Sequence, residues 1–283
     1  MQTDKETNTV KRWILATMVV LSFALRLNHS LTAATPEPLS EHVRLIEGAV
    51  NGVVIESDGH RLVVYGAPVG EIDEAEMVLF THSRRDVVRA GARLVRRSGA
   101  EAVVPVAEQD NFTSPGAFWQ AFTERRYQDS RQQTTKIPVR PIDVARAVKD
   151  GDVVTWRGID FNVLDTPGYT RGAVSYLTTI DEKKYAFVGD VMYGDGQLLD
   201  LYSLQDAVPD TRIGGYHGWA GRMGPLIDSL RKVKAANPDI LIPARGPVVR
   251  DPDQAIDRLI DRLQAVYRNY LSISAGRWDF KED

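Results

Sequence analysis

Two hydrophobic patterns alternate along this chain, one typical of β-strands and the other of helices. Residues 41–68, EHVRLIEGAVNGVVIESDGHRLVVYGAP, alternate β-branched and polar residues and break at SDGH, which predicts a hairpin. Residues 74–82, EAEMVLFTH, predict a strand buried on both faces. Residues 84–100, RRDVVRAGARLVRRSGA, repeat apolar residues at helical spacing and end near Gly99, which predicts a helix. The next segment, EAVVPVAE, predicts another strand.

The second half of the chain repeats this order of hairpins followed by helices. Residues 150–168, DGDVVTWRGIDFNVLDTPG, predict two strands joined at the RG turn, and residues 173–190 predict a second hairpin. Helices are predicted in residues 223–237 and 251–273, with a short strand, PDILIPA, between them. Two mixed β-sheets packed face to face, with helices outside, would cover strands that are apolar on both faces. We therefore expect an α/β fold of this architecture.

The N-terminus resembles a targeting segment. A charged start is followed by a 13-residue apolar stretch, WILATMVVLSFAL at residues 13–25, and then by small residues around Ala33 and Ala34. Thirteen residues are fewer than the ~20 that a membrane-spanning helix needs. Residues 1–34 are therefore predicted to be a cleaved signal peptide, with a retained anchor at 13–25 or a buried helix as alternatives. Residues 35–44 are then a linker, residues 45–283 the domain, and the protein is periplasmic or secreted.

Composition excludes several classes of function. The 283 residues are 43% hydrophobic and 26% charged with a net charge of -3, so we expect no nucleic-acid partner, and a membrane contact only through the N-terminal anchor. The absence of cysteine excludes disulfides, zinc sites built on thiolates and cysteine nucleophiles. No G-x-S-x-G motif is present, which leaves a serine hydrolase without support.

Four polar loops follow predicted strands and are the places where chemistry is expected. They read THSRRD at 81–86, DTPGYTRG at 165–172, FVGD at 187–190 and IPARGP at 242–247. Loops that leave neighbouring strands at the same edge lie close together, so we expect these four to form one pocket.

In order and context the four loops resemble those of the metallo-β-lactamase superfamily, over roughly residues 45–270. The resemblance implies an αββα sandwich with a zinc or iron site at the strand ends, and hydrolysis of an ester, amide or phosphoester. The superfamily's ligand positions are kept at His82, Asp86 and Asp190. The positions at which the superfamily carries further histidines hold Arg84, Val87, Tyr169 and Arg245.

The substitutions predict a site that works without a metal. Arginine stays protonated in proteins, so it cannot ligate a metal ion and it repels one nearby. Arg84 and Arg245 are therefore expected to form forked ion pairs with Asp86 and Asp190 in place of two bound cations. In this hypothesis no cofactor is needed, and the domain is non-catalytic.

The partner of such a domain is expected to be a small anionic ligand or an unknown protein. Arg84, Tyr169 and Arg245 are the predicted anion contacts, and His217 in the GYHGWAG loop is a further candidate for the pocket. The alternative is a hydrolase that keeps a single Zn, Mn or Fe ion on His82, Asp86 and Asp190, with Asp86 acting in catalysis.

Overall fold

A computed structural model of the chain describes residues 37–66, 70–123, 137–199 and 223–273. These residues belong to the unit Pro36–Asp283. The predicted signal or anchor at 1–34 and the candidate His217 lie outside the described residues. Within those ranges no helix combines the length and the apolar character that crossing a membrane requires.

The strands form two mixed sheets. The first has the order β1-β2-β3-β4-β5-β6-β7 and consists of Glu37–Pro38 (β1), Val43–Ile46 (β2), Gly52–Ser57 (β3), His60–Val64 (β4), Met77–Leu79 (β5), Glu101–Pro105 (β6) and Arg146–Val148 (β7). Its strands pair antiparallel from β1 to β4 and parallel from β4 to β7.

The second sheet has the order β12-β11-β10-β9-β8. Its strands are Val153–Trp156 (β8), Ile159–Asp165 (β9), Val174–Ile180 (β10), Lys183–Gly189 (β11) and Ile240–Pro243 (β12). All of its pairs are antiparallel except β11 with β12, where a crossover makes the pair parallel. Both sheets are therefore mixed, as the sequence predicted.

The helices are Arg85–Ser98 (α1), Gln109–Thr113 (α2), Pro115–Thr123 (α3), Met223–Ala235 (α4) and Pro252–Ile273 (α5), with a 3-10 turn at Val106–Glu108. Helix α1 ends as predicted, because Gly99 takes the left-handed conformation (φ 71°) and its N–H caps the Val95 carbonyl. The predicted hairpin turn also forms, with Asp58 and Gly59 at φ 50° and 77°.

Three hydrophobic cores separate four layers. Alternate residues of a strand point to opposite faces, so Val64 of β4 joins the core between the sheets while Val63 joins the core under α1. In β11, Phe187 likewise faces the other sheet and Ala186 faces the core under α4 and α5. The order helix, sheet, sheet, helix is the predicted αββα sandwich.

Two details differ from the prediction. The first sheet begins inside the predicted 35–44 linker, because β1 pairs with β2 and Leu39 is 5% exposed. Strand β7 was not predicted, since it has three residues and only Val148 is fully buried, which leaves no alternating pattern to read.

Candidate functional site

The four polar loops leave their strands at one end of the sandwich and meet there. His82 and Arg84 follow β5, Tyr169 follows β9, Asp190 follows β11 and Arg245 follows β12. Asp86 lies in the first turn of α1. The structure thus brings together all of the predicted site residues that it describes; His217 lies outside the described residues.

The guanidinium of Arg245 joins these loops. Its Nε donates to Asp190 Oδ1 at 2.9 Å, and its Nη2 donates to Asp190 Oδ2 at 2.7 Å and to the Tyr169 hydroxyl at 2.8 Å. Its Nη1 donates to Asp86 Oδ2. The forked ion pair expected between an arginine and Asp190 is therefore present, and one guanidinium also holds Asp86.

His82 is fully buried and accepts and donates through different nitrogens. Its Nδ1 lies 3.2 Å from the backbone N–H of Arg84, and its Nε2 lies 2.9 Å from Asp190 Oδ2. A backbone N–H can only donate, so Nδ1 is the unprotonated nitrogen and Nε2 carries the hydrogen that Asp190 accepts. Asp190 therefore receives three hydrogen bonds from protein groups, one from His82 and two from Arg245.

These contacts set the charge states of the site. Burial alone would raise the pKa of Asp190, but hydrogen bonds from His82 and Arg245 lower it to about 2. Burial opposes the charge of Arg245, yet its hydrogen bond to Asp190 raises the pKa above the ordinary value for arginine. Burial raises the pKa of Tyr169 to about 12. At neutral pH the pair is thus ionised and the phenol keeps its proton.

Arg84 differs from the prediction. Among the described residues, its guanidinium has no ion-pair partner within 4.0 Å, and its Nε has no hydrogen-bond partner. The residue is 8% exposed, and burial lowers the pKa of its guanidinium. The guanidinium carbon lies 5.5 Å from the centre of the Tyr169 ring, as does that of Arg245. The expected second forked pair does not form, because Arg245 reaches both carboxylates by itself.

Sequence reasoning missed Glu108, which connects two of the loops. Its buried carboxylate accepts the Ser83 N–H at 2.6 Å and the Gly172 N–H at 3.2 Å. The available signal was its place at the end of a predicted strand, at the same edge as the four loops.

Two further residues that were not predicted support the last loop. Tyr65 takes a positive φ of 68°, and its hydroxyl accepts the Gly189 N–H and donates to the Ile242 carbonyl. The side chain of Asn51 donates to the carbonyls of Pro243 and Gly246. No local pattern indicates these contacts, since each joins segments more than a hundred residues apart.

The donor set at the four loops does not suit a metal ion. In the described part of the chain, Glu41, His42 and Asp181 form a group of metal-type ligand atoms within 4.8 Å of one another, whereas His82, Asp86 and Asp190 do not. That group is largely exposed, and its Asp181 lies in the β10–β11 turn, at the opposite end of β11 from Asp190. At the four loops, the guanidinium of Arg245 contacts both Asp86 and Asp190.

Comparisons with known proteins place this geometry in context. No family model matches the sequence. A hydroxyacylglutathione hydrolase of Cupriavidus metallidurans is 31% identical over 121 residues, which cover 38% of this chain and 44% of that protein. An acyl-coenzyme A thioesterase of Gallus gallus, MBLAC2, is 27% identical over 137 residues, or 48% of this chain and 42% of that protein. The matched stretches span less than half the length of these relatives.

Solved structures match over most of the chain. A subclass B3 metallo-β-lactamase from a soil metagenome, MEM-A1, superposes with a TM-score of 0.59 and 20% identity, covering 84% of this chain and 97% of that one. A B3 metallo-β-lactamase with an active-site glutamic acid gives a TM-score of 0.62 at 17% identity, covering 89% and 96%. The resemblance read from the four loops is therefore confirmed at the level of the fold.

A third solved structure is described by a motif that residues of the first loop match in part. It is a metallo-β-lactamase of Cronobacter sakazakii described by its HARLDQ motif, with a TM-score of 0.56 and 16% identity over 86% of this chain and 90% of that one. Residues 82–87 of this chain read HSRRDV, so His, Arg and Asp stand in the same order and spacing.

Proposed function

Because the chain has the metallo-β-lactamase fold, we propose that it uses this fold without a metal, as a non-catalytic domain that binds a small anion at the four loops. One observation carries the proposal: Arg245 donates to both oxygens of Asp190 and to Asp86. A metal ion on these carboxylates would have to displace that guanidinium.

The balance of buried charge supports a metal-free site. Among the described residues at the site, Arg84 is buried and the Arg245 side chain is 11% exposed, while Asp190 and Glu108 are buried carboxylates, so the formal charges of these four groups cancel. The Asp86 side chain is 55% exposed, and water screens its charge. A divalent ion would add two positive charges beside two guanidiniums, which is unfavourable where the dielectric constant is low.

Arg84 supports the binding of an anion. A buried cation is stable when it is paired, and Arg84 is 8% exposed without an ion pair to any described residue. The charges of Glu108, Asp86 and Asp190 act on it from nearby and would repel a dianion more than a monoanion. The fork of a guanidinium matches a carboxylate, so a small carboxylate is the ligand class that fits.

Metal analysis and a histidine-restored variant test the metal-free state. The wild-type protein, purified without chelators, is expected to contain well under one equivalent of zinc, manganese or iron. The triple variant Arg84→His, Tyr169→His, Arg245→His is expected to gain tight zinc binding, because imidazoles replace two cations and a phenol. One tightly bound ion in the wild type, lost in Asp190→Asn, would contradict the proposal.

Thermal stability in the presence of acetate or benzoate tests the anion site. Each carboxylate is expected to raise Tm of the wild type in a concentration-dependent way, because a ligand of the folded state stabilises it. Arg84→Met, which keeps the length of the side chain, should abolish the rise, whereas Arg85→Met should not. An equal rise in Tm for both variants would show that Arg84 does not bind the carboxylate.

A metal-dependent hydrolase is the second candidate. The curated relatives are named as hydrolases of thioesters or of hydroxyacylglutathione, and the Cronobacter metallo-β-lactamase also has an arginine in its motif. In this case His82, Asp86 and Asp190 would hold one ion once Arg245 moved. Turnover of a thioester or β-lactam that requires added zinc, manganese or iron, and that is lost in Asp86→Asn, would favour this candidate over the first.

Export of the protein is also proposed, on the pattern of residues 1–34. Fractionation of cells that express the full chain should place the domain outside the cytoplasm, either free or with the membrane. Deletion of residues 1–34 should retain it in the cytoplasm.

A further inference from the structure

A groove outside the four loops has a basic rim and an apolar floor. It lies between α1 and residues 138–142 and has a volume of about 550 Å³. Its floor includes Val88, Ala92 and Ile142, each at most 5% exposed. Beside it Val139 is 60% exposed, the largest exposed fraction of any large hydrophobic side chain in the described ranges.

The described charges around the groove are positive. Its rim holds Arg85, Arg89, Arg96 and Arg140, and no acidic residue is found among the described residues that line it. Within the described part of the chain none of these arginines has an ion pair within 4.0 Å, although another arginine of α1, Arg97, pairs with Asp73. The chain as a whole has a net charge of -3, so this basic surface is a local feature.

The segment that precedes residues 138–142 in the sequence is also basic overall. Residues 124–136, ERRYQDSRQQTTK, lie outside the described residues and carry four basic and two acidic side chains. The net charge of this segment is +2, so an acidic ligand from another molecule complements the arginine rim better than this segment would.

The spacing of the arginines indicates an extended ligand. Arg85, Arg89 and Arg96 fall on one face of α1, and eleven residues of helix extend over ~16 Å. About five residues of extended polypeptide cover that length. We propose that this groove binds an acidic, extended peptide segment of a partner protein, with apolar side chains against the floor and carboxylates at the arginine rim.

The shape and lining of the groove favour a peptide over other polyanions. The apolar floor is recessed, whereas a membrane surface is bound by apolar side chains that protrude. The described residues that line the groove include no aromatic side chain, so they offer a single-stranded nucleic acid no platform for base stacking. An extended peptide places alternate side chains on opposite faces and can meet a floor and a rim together.

Fluorescence anisotropy with two labelled hexapeptides tests the inference on the full domain. One peptide alternates Asp and Val, and the control alternates Asn and Val. The acidic peptide is expected to bind at low salt, at least ~10-fold more tightly than the control, and to weaken as salt screens the charges.

Charge reversal then locates the site. Arg89→Glu with Arg96→Glu should weaken binding of the acidic peptide at least ~10-fold, because attraction at two rim positions becomes repulsion. The matched variant Arg93→Glu with Arg97→Glu makes the same charge change on the same helix at positions outside the groove. It should stay within ~3-fold of the wild type, and circular dichroism confirms that both variants are folded.

Three outcomes would overturn the inference. The first is no binding of the acidic peptide to the wild type, and the second is an equal loss in both double variants. The third is that the wild type binds phosphatidylserine vesicles but not the acidic peptide, and that Arg89→Glu with Arg96→Glu abolishes the vesicle binding. This result would assign the surface to a membrane. None of these results depends on whether the four loops hold a metal or an anion.

Discussion

Arg245 and Arg84 show how two residues of the same type take different roles in one site. Arg245 comes from the loop after β12 and reaches Asp86, Tyr169 and Asp190 from one position. Arg84 stands directly before α1, where its backbone N–H is bound to His82 and its guanidinium lies over the ring of Tyr169. The first is an internal counterion, whereas the second is a buried cation without an ion pair to any residue that the structure describes.

Replacement of Arg245 by alanine is expected to destabilise the domain by about 3–5 kcal/mol. The substitution leaves the Asp190 carboxylate, 2% exposed, buried without its cation. Urea unfolding at neutral pH measures the effect. Arg250→Ala is the control, since its pair with Glu37 is exposed and contributes at most about 1 kcal/mol. Equal losses in the two variants would show that Arg245 is not a buried counterion.

Protonation of Asp190 at low pH is expected to lower the free energy of unfolding. Burial opposes its charge, but His82 and Arg245 hold its pKa at about 2, below the ordinary 3.8. Because the folded-state pKa is the lower one, the stabilisation is complete above pH 3.8 and is lost as pH falls towards 2. This stabilisation of the folded state is about 2 kcal/mol. The free energy of unfolding, measured for the wild type and for Asp190→Asn across this pH range, should depend less on pH in the variant. The same pH dependence in both proteins would refute the assignment of this effect to Asp190.

The loops of the site are held by the elements around them. Glu108, after β6, accepts backbone N–H groups from the first and second loops, and Tyr65, after β4, joins the ends of β11 and β12. Helix α1 fixes the first loop in turn, because it packs against the first sheet through Gly91. A Cβ on Gly91 would lie 2.6 Å from Phe80 Cε1 and from the Tyr65 carbonyl oxygen.

Gly91→Ala is therefore expected to destabilise the protein by at least about 1 kcal/mol, although alanine favours helices. The new methyl group would meet a ring and a backbone oxygen that cannot move without shifting α1. Gly116→Ala in α3 is the matched control, because nothing lies within 4 Å of the position that its Cβ would take, and it should be neutral or stabilising by up to about 1 kcal/mol. Thermal unfolding compares the two, and a neutral Gly91→Ala would show that α1 can move away from the sheet.

At the largest scale, the described residues form a sandwich of four layers with three hydrophobic cores, and the site lies at one end of it. The cores provide the driving force for folding, since they bury strands of both sheets and the faces of α1, α4 and α5. In the proposed metal-free site, protein groups balance the buried charges, and the folded state is expected to be stable without a metal at the four loops.

Chelation is accordingly expected to leave the stability of the domain unchanged. A metal that binds only the folded state would raise Tm by mass action, and its removal would lower it. The Tm values of the wild type measured with EDTA and with added zinc should agree within about 2 °C. The histidine-restored triple variant supplies the positive control, because zinc should raise its Tm. A large fall of the wild-type Tm in EDTA would contradict a metal-free site.

Much of the fold and part of the site were predictable from the sequence. Helix α1, the turn at Asp58 and Gly59, and the strands before each polar loop follow from local patterns of apolar residues and turn formers. The meeting of His82, Tyr169, Asp190 and Arg245 followed from the positions of their loops after strands. Glu108 and Tyr65 were missed, because their partners are distant in sequence.

By itself, then, the sequence determined the αββα layers and the set of residues that would meet at one end, because hydrophobic periodicity and strand ends are local properties of the chain. Only the tertiary structure decided how those residues pair: which arginine takes both carboxylates, which has no ion pair to any described residue, and which buried glutamate offsets its charge. Ion pairs and hydrogen bonds form over about 3 Å, a distance that the packing of the two sheets sets and that no local pattern encodes.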